Sequence, residues 1–145
     1  LVLSLTAEIS GVNTGTIFGS YTYDNSVLGP KLFNTPLIIG INWFILIYCT
    51  VILINRFKFP VIVRILIGGL IMLIFDIILE PVSGKLMMWN WLNGEAPFQN
   101  YAAWFIMACA FISIMYLGKT DIKNQVSIHL LLVLFIFFTG LNLFL

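Results

Sequence analysis

The sequence predicts an all-α fold, a polytopic transmembrane helical bundle, and three observations lead to that prediction. Hydrophobic residues make up 61% of the chain and charged residues 9%, and the mean hydropathy is +1.06. Because soluble domains are about 25% charged, this chain has too few charges to cover a surface in water. Four apolar segments are each long enough to cross about 30 Å of hydrocarbon as a helix. The polar residues gather in the connections between those segments.

The four segments predict a single transmembrane domain, residues 1–145, with no room for an added soluble module. Helices are expected because lipid offers no partner for free backbone N–H and C=O groups. Proline opens the first two segments, a position where its missing N–H costs least. The predicted spans are residues 36–55, 60–80, 101–118 and 126–145.

The N-terminal residues are apolar from Leu1 onwards and reach their first charge at Glu8. Residues 1–7 are too short to span a bilayer and lack the basic flank of a signal peptide. We therefore expect residues 1–8 to be the end of a helix that begins outside this sequence. On that interpretation the domain is truncated at its N-terminus.

The basic residues predict the orientation in the membrane. Two connections on the same side carry five of them, namely Arg56, Lys58, Arg64, Lys119 and Lys123. Since cytoplasmic loops are enriched in Lys and Arg, that side is assigned to the cytoplasm. The opposite side then holds the long connections 9–35 and 81–100. A net charge of +1 without a basic cluster argues against a nucleic-acid partner.

Asp76 is the most informative single residue, because it lies inside a predicted span with Glu80 four residues later. That spacing puts both carboxyls on one helix face. Two carboxylates in a poorly hydrated site cannot both stay ionised cheaply, so at least one is expected to hold a proton and to serve as a general acid. The alternative is structural: Asp76 bonds to a neighbouring helix and Glu80 lies among the lipid headgroups.

Other polar and aromatic residues are predicted on the same side of the membrane. Glu8 and Asp24 are further catalytic candidates. The candidates for substrate binding are amides and aromatic rings, namely Tyr21, Tyr23, Asn42, Trp43, Trp89, Trp91, Asn100 and Trp104. Taken singly, such aromatic residues are usually interfacial belt residues, and an Asn in a span usually joins helices. Their common location is what predicts a site.

The predicted site suits acid-driven chemistry on an apolar substrate. Protonating a carbon–carbon double bond creates a carbocation, which aromatic faces stabilise by up to about 2 kcal/mol each when desolvated. A carboxylate adds electrostatic stabilisation and can orient or deprotonate water. The sequence contains no metal-ligand spacing and no dinucleotide motif, so neither a metal nor a cofactor is expected.

Several spaced stretches resemble the carotenoid biosynthesis membrane proteins, the family that includes carotenoid 1,2-hydratases and bisanhydrobacterioruberin hydratase. The resemblance runs from residue 8 to about residue 104. It rests on the Gly-rich and Tyr-rich stretch 8–23, on Leu28-Gly29-Pro30-Lys31, on Asp76-Ile-Ile-Leu-Glu80-Pro81, on Trp89-Asn-Trp91 and on the stretch 94–104. It implies hydration of a carotenoid ψ-end group to a tertiary alcohol without a redox cofactor. It also implies an N-terminally longer protein.

Two other classes of function remain open at this point. A carotenoid cyclase or isomerase would use the same cation, and a non-enzymatic membrane protein would bind pigment or lipid, or transport a solute. The expected surroundings are the bilayer of a bacterial or archaeal cytoplasmic membrane. The expected partners are a carotenoid dissolved in that bilayer and other carotenoid enzymes.

Overall fold

A computed structural model of the protein describes residues 1–25, 27–118 and 124–145. Lys119 and Lys123, two of the residues used to assign the cytoplasmic side, lie outside the described residues. Within them the chain forms helices α1 Val2–Thr14, α2 Leu37–Ile54, α3 Val61–Ser83, α4 Phe98–Leu117 and α5 Val126–Phe144. The short strands are β1 Tyr21–Tyr23, β2 Lys31–Leu32, β3 Thr35–Pro36 and β4 Trp89–Trp91.

Helices α2 to α5 are long and apolar enough to cross a membrane. They confirm the predicted fold class, a transmembrane helical bundle, and the protein is an integral membrane protein. Large apolar side chains remain exposed along these helices, including Ile62, Ile106 and Ile136. Such surfaces are expected where a helix faces lipid rather than water.

The helix boundaries differ from the predicted ones at three places. The first helix does not end at Glu8 but continues to Thr14, where Gly15 adopts a left-handed conformation (φ 68°) and donates its N–H to the carbonyl of Gly11. Helix α3 continues past Glu80 through Pro81, which falls in the last turn, where little helix remains to be disrupted. Helix α4 begins at Phe98, three residues earlier than predicted.

Helix α3 packs against α2, α4 and α5. Two adjacent glycines allow its close approach to α4. A Cβ at Gly69 would meet Sγ of Cys109 at 2.5 Å, and one at Gly68 would overlap Ile112. Small residues at such crossings are typical of helix pairs in membranes, where close packing replaces the hydrophobic effect.

The two long connections meet at one end of the bundle. Strands β1 and β4 pair antiparallel, with Tyr21 opposite Trp91 and Tyr23 opposite Trp89. We call this two-stranded ribbon the cover. The sequence predicted only a long connection for 9–35, because the alternation Phe18, Ser20, Thr22 is too short to indicate a strand.

The opposite end of the bundle carries the short connection between α2 and α3. There Asn55 accepts hydrogen bonds from Arg64 (Nη1 to Oδ1, 3.3 Å) and from Tyr116 (Oη to Oδ1, 2.9 Å). The basic residues of this connection therefore lie at the far end from the cover.

The orientation inferred from the basic residues predicts which positions can be reached from outside intact cells. Single cysteines at Asn25 and Asn93 should react with a membrane-impermeant maleimide, whereas cysteines at Lys58 and Lys123 should react only after the cells are opened. The background for all four is a protein whose native Cys49 and Cys109 have been replaced. The reverse pattern would overturn the orientation, although not the fold.

Candidate functional site

A cavity of about 270 Å³ lies under the cover, between the cover and helices α2 to α5. Its wall is mainly aromatic and aliphatic. The polar groups that reach it are two carboxyls, Glu8 and Glu80, two amides, Asn42 and Asn100, and the polar atoms of the Tyr and Trp rings. A cavity of this kind, apolar with a few convergent polar groups, is the usual form of a small-molecule site.

Glu8 is fixed by three hydrogen bonds from three rings. Tyr21 and Tyr23 donate their hydroxyls to Oε2 (2.9 and 2.7 Å), and Trp43 donates Nε1–H to Oε1 (2.7 Å). Only 4% of Glu8 is exposed. Burial raises the pKa of Glu8 above its ordinary value, and the three donors, directed at both oxygens, act against that rise. These donors are therefore placed to stabilise a negative charge at one side of the cavity.

The two tyrosines keep their protons in this arrangement. Burial, followed by the negative charge of Glu8, raises the pKa of Tyr21 and the pKa of Tyr23 above their ordinary value. Both phenols therefore remain hydrogen-bond donors to Glu8.

The register of the cover explains why these rings converge. Residues two apart on a strand point to the same face, so Tyr21 and Tyr23 project together, and so do their partners Trp91 and Trp89. The ring centroids of Tyr21 and Trp91 are 5.0 Å apart, and those of Tyr23 and Trp89 are 6.2 Å apart. The cover thus presents an aromatic face to the cavity.

Asp76 and Glu80 form a second acidic cluster, which we call the carboxyl pair. Asn100 connects its two members, because its Nδ2 donates to Oδ2 of Asp76 (2.7 Å) and to Oε1 of Glu80 (3.2 Å). Oε2 of Glu80 accepts Nε1–H from Trp91 (2.7 Å) and from Trp89 (3.3 Å). The i, i+4 spacing predicted from the sequence brings the two carboxyls together on α3. The hydrogen-bond donors come from Asn100 on α4 and from Trp89 and Trp91 in the cover.

The geometry of the pair favours a shared proton. Asp76 is fully buried, and its Oδ1 has no hydrogen-bond donor within the described part of the chain. The same Nδ2 of Asn100 lies within hydrogen-bond distance of both carboxyls, so the two groups are close neighbours. Two carboxylates this close in a poorly hydrated site cannot both stay ionised at low cost, so we expect one of them to carry a proton. The pair is therefore best described as two carboxyls sharing one proton, with the charge balanced by the Asn and Trp donors around Glu80.

A stacked pair of indoles forms another part of the cavity wall. The rings of Trp43 and Trp104 lie 4.2 Å apart at an interplanar angle of 28°. Glu8 orients Trp43 through Nε1, and Phe111 packs edge-on against the same ring (5.7 Å). The faces of these rings are thereby held in fixed positions beside the cavity.

Most of the residues predicted for the site are brought together. Ten line the cavity: Glu8, Tyr21, Tyr23, Asn42, Trp43, Glu80, Trp89, Trp91, Asn100 and Trp104. Asp76 does not line it but lies behind Asn100 and Glu80. Asp24 also lies off the cavity, at the end of the cover, where its N–H bonds to the carbonyl of Met88 (3.1 Å).

Sequence reasoning missed the aliphatic and Phe part of the wall, such as Phe18, Phe75, Leu134 and Phe138. In a chain this apolar such residues carry no signal that separates a cavity wall from ordinary helix packing. The places of Leu134 and Phe138 follow from the way in which α5 crosses the bundle, and those of Phe18 and Phe75 from the packing of the first connection and of α3.

Comparison with known proteins gives one match. The family model described as "Carotenoid biosynthesis protein" matches residues 1–145, the whole of the chain. Neither a curated protein nor a solved structure matches it. The resemblance inferred from the spaced motifs is thereby confirmed at the level of the family.

Proposed function

This chain belongs to the carotenoid biosynthesis protein family, and from that premise we propose that it is a hydratase of carotenoid ψ-end groups. The family gives it a role in carotenoid biosynthesis and suggests an enzyme of that pathway. The proposal adds the reaction: water is added across the terminal C=C bond to give a tertiary alcohol. The observation that carries it is one aromatic cavity with Glu80 of the carboxyl pair on one wall and the Glu8 carboxyl, with its three donors, on another.

The first step is protonation of the alkene. Glu80 is the member of the carboxyl pair that reaches the cavity, and Asp76 lies behind it as the group that shares the proton. The pair gives its proton to the less substituted alkene carbon, where a C–H bond forms from the π electrons. The more substituted carbon becomes a tertiary cation, and the pair becomes fully ionised.

The cation is then stabilised by the rest of the wall. The stacked indoles of Trp43 and Trp104 and the rings of the cover offer π faces, each contributing up to about 2 kcal/mol toward a desolvated cation. The Glu8 carboxylate adds a fixed negative charge whose donors are already in place, so little reorganisation is needed when the cation forms.

Water completes the reaction. Its oxygen forms a bond to the tertiary carbon, and the proton that it loses returns to the carboxyl pair, which is restored. Alkene and water give the alcohol with no change in oxidation state of the protein, so the scheme needs no electron carrier. If a second double bond of the substrate reached the cation before water, a ring would form instead.

We further propose that the protein works in a bacterial or archaeal cytoplasmic membrane, on a carotenoid dissolved in the bilayer. Association with other carotenoid enzymes would suit such a substrate, since it does not leave the membrane between steps.

The source of the new oxygen tests the reaction. Membranes containing the full-length protein and an acyclic carotenoid, incubated without air in water enriched in ¹⁸O, should yield an alcohol that carries the heavy isotope. Mass spectrometry of the product reads the label, and membranes from cells without the gene provide the control.

Three other results would count against hydration. A requirement for O₂ or for an added reductant would indicate an oxygenase. A cyclic product without oxygen would favour the cyclase alternative. Bound carotenoid recovered unchanged would favour pigment binding.

A further inference from the structure

The cavity is open on one side, and its lining residues show where. Most of them are buried, including Ile39, Trp43 and Leu46 on helix α2. Among the lining residues that the structure describes, the exposed ones are Asn42 on α2 and Leu130 on α5. A residue that both lines a cavity and is exposed marks the point where that cavity meets the exterior.

The path of α5 explains the gap in the cavity wall at Asn42 and Leu130. Near its start the helix lies against α2, where Asn124 Nδ2 is 3.5 Å from the Tyr48 hydroxyl. Further along it packs on α3 instead: Phe75 contacts Phe135 and Phe138, with ring centroids 5.3 and 5.6 Å apart. Helix α5 therefore crosses from α2 to α3 and leaves the first turns of α2 without a neighbour on this side.

The gap lies within the depth of the spans, not at a loop. Asn42 is about 8 Å along α2 from Leu37, and Leu130 is about 6 Å along α5 from Val126, at 1.5 Å per residue. Those two helix starts lie at opposite ends of the bundle. The gap is bordered throughout by helical residues of the spans, so it opens sideways towards lipid.

The size of the cavity indicates what must pass through this gap. Its volume of about 270 Å³ is just below the roughly 300–1,000 Å³ of pockets that hold drug-sized ligands. A carotenoid is a stiff polyene rod much longer than such a cavity, so only one end group fits inside. The cover closes the end of the bundle with buried rings, including Tyr21, Tyr23 and Trp89. The polyene chain therefore cannot leave the cavity through the cover and has to leave it through the side of the bundle.

We propose that the gap bordered by Asn42, Ile45, Leu130 and Leu134, the lateral opening, is the binding site for the polyene chain of the substrate. The end group enters sideways from the bilayer, and the chain remains between α2 and α5 with its far end in lipid. This inference rests on the proposed function for the identity of the rod. Because the second end group of the carotenoid stays in lipid, the site does not contact it. Acyclic and monocyclic carotenoids that share the reacting end group should therefore react alike.

Photo-crosslinking tests the occupant without relying on turnover. A diazirine amino acid at Leu130 should crosslink to lycopene in lipid nanodiscs, because the carbene it forms on loss of N₂ inserts into nearby C–H bonds, whereas the same group at Leu132 should not. Leu132 is the matched control because it is exposed on the same helix and does not line the cavity. Equal crosslinking at the two positions, or none at either, would overturn the lateral opening.

A blocking substitution provides the kinetic test. Leu130→Trp should lower kcat/KM for the carotenoid by about tenfold or more, chiefly through KM, because the indole competes with the chain for the opening. Leu132→Trp should stay within about twofold of the wild type, since it adds bulk only to the lipid-facing side. Equal kinetics for the two variants would contradict the proposal.

The two experiments also separate this inference from the proposed function. Selective crosslinking at Leu130 without any hydrated product would preserve the lateral opening and end the hydratase assignment. Hydrated product with equal crosslinking at Leu130 and Leu132 would support the hydratase assignment and overturn the lateral opening.

Discussion

Glu80→Gln and Asp76→Asn should each reduce hydration by about 10²–10⁴-fold, the range that a general acid contributes. Glu80→Gln removes the carboxyl that reaches the cavity. Asp76→Asn removes the partner with which Glu80 shares the proton and places an amide beside it, so we expect Glu80 to have no proton to give. An unactivated alkene has no easier route to the cation, so we expect losses at the upper end of the range. Product formed per unit of correctly inserted protein is the measurement.

Both substitutions preserve shape, so insertion and folding should survive. Asp76→Asn can still accept from Asn100, and Glu80→Gln can still accept from Trp89 and Trp91 but loses the 3.2 Å bond from Asn100, because its NH₂ then faces a donor. Glu95→Gln is the matched control, because Glu95 is an exposed carboxyl that does not line the cavity. Infrared spectroscopy gives an independent readout: the stretch of the pair's protonated carboxyl should be present in the wild type and absent from Asp76→Asn. If both variants keep near wild-type turnover, the pair is structural, and Glu8, the other carboxyl on the cavity wall, becomes the better candidate for the acid.

Glu8→Gln should slow the reaction by about 10²-fold if its charge stabilises the cation, a loss similar to that for removing one group of an oxyanion hole. The substitution can keep the local geometry. The Trp43 N–H is only a donor, so the Gln oxygen can take the place of Oε1 and accept from it. The Tyr21 and Tyr23 hydroxyls can also accept, so the Gln NH₂ can take the place of Oε2 and donate to them. What is lost is the negative charge. The single-turnover rate at saturating carotenoid measures the loss.

Tyr23→Phe is the matched control for Glu8, because it removes one donor and leaves the charge. A hydrogen bond to a charged group contributes about 1.5–3 kcal/mol, so this variant should lose thermal stability while its rate falls less than that of Glu8→Gln. A rate for Glu8→Gln within a few fold of the wild type would show that Glu8 only organises the rings. The proposed mechanism would then have to rely on the π faces alone.

The sequence was sufficient for the spans and for one feature of the site. Lipid forces a long apolar segment to be helical, so length and hydropathy locate α2 to α5 with errors only at their ends. Helix periodicity is equally local, which is why the spacing of Asp76 and Glu80 was enough to place both carboxyls on one face of α3. The clustering of aromatic and amide residues on one side followed from counting spans.

Only the tertiary structure decided which of these groups meet. Glu8 is joined to Tyr23 and Trp43, residues 15 and 35 positions away, by the pairing of β1 with β4 and by the packing of α1 on α2. The same packing places Glu80 on the cavity wall and Asp76 behind it. Hydropathy carries no information on how a helix is rotated about its axis or which neighbour it crosses. For that reason the lateral opening, which exists because α5 passes from α2 to α3, could not be predicted from the residues of either helix.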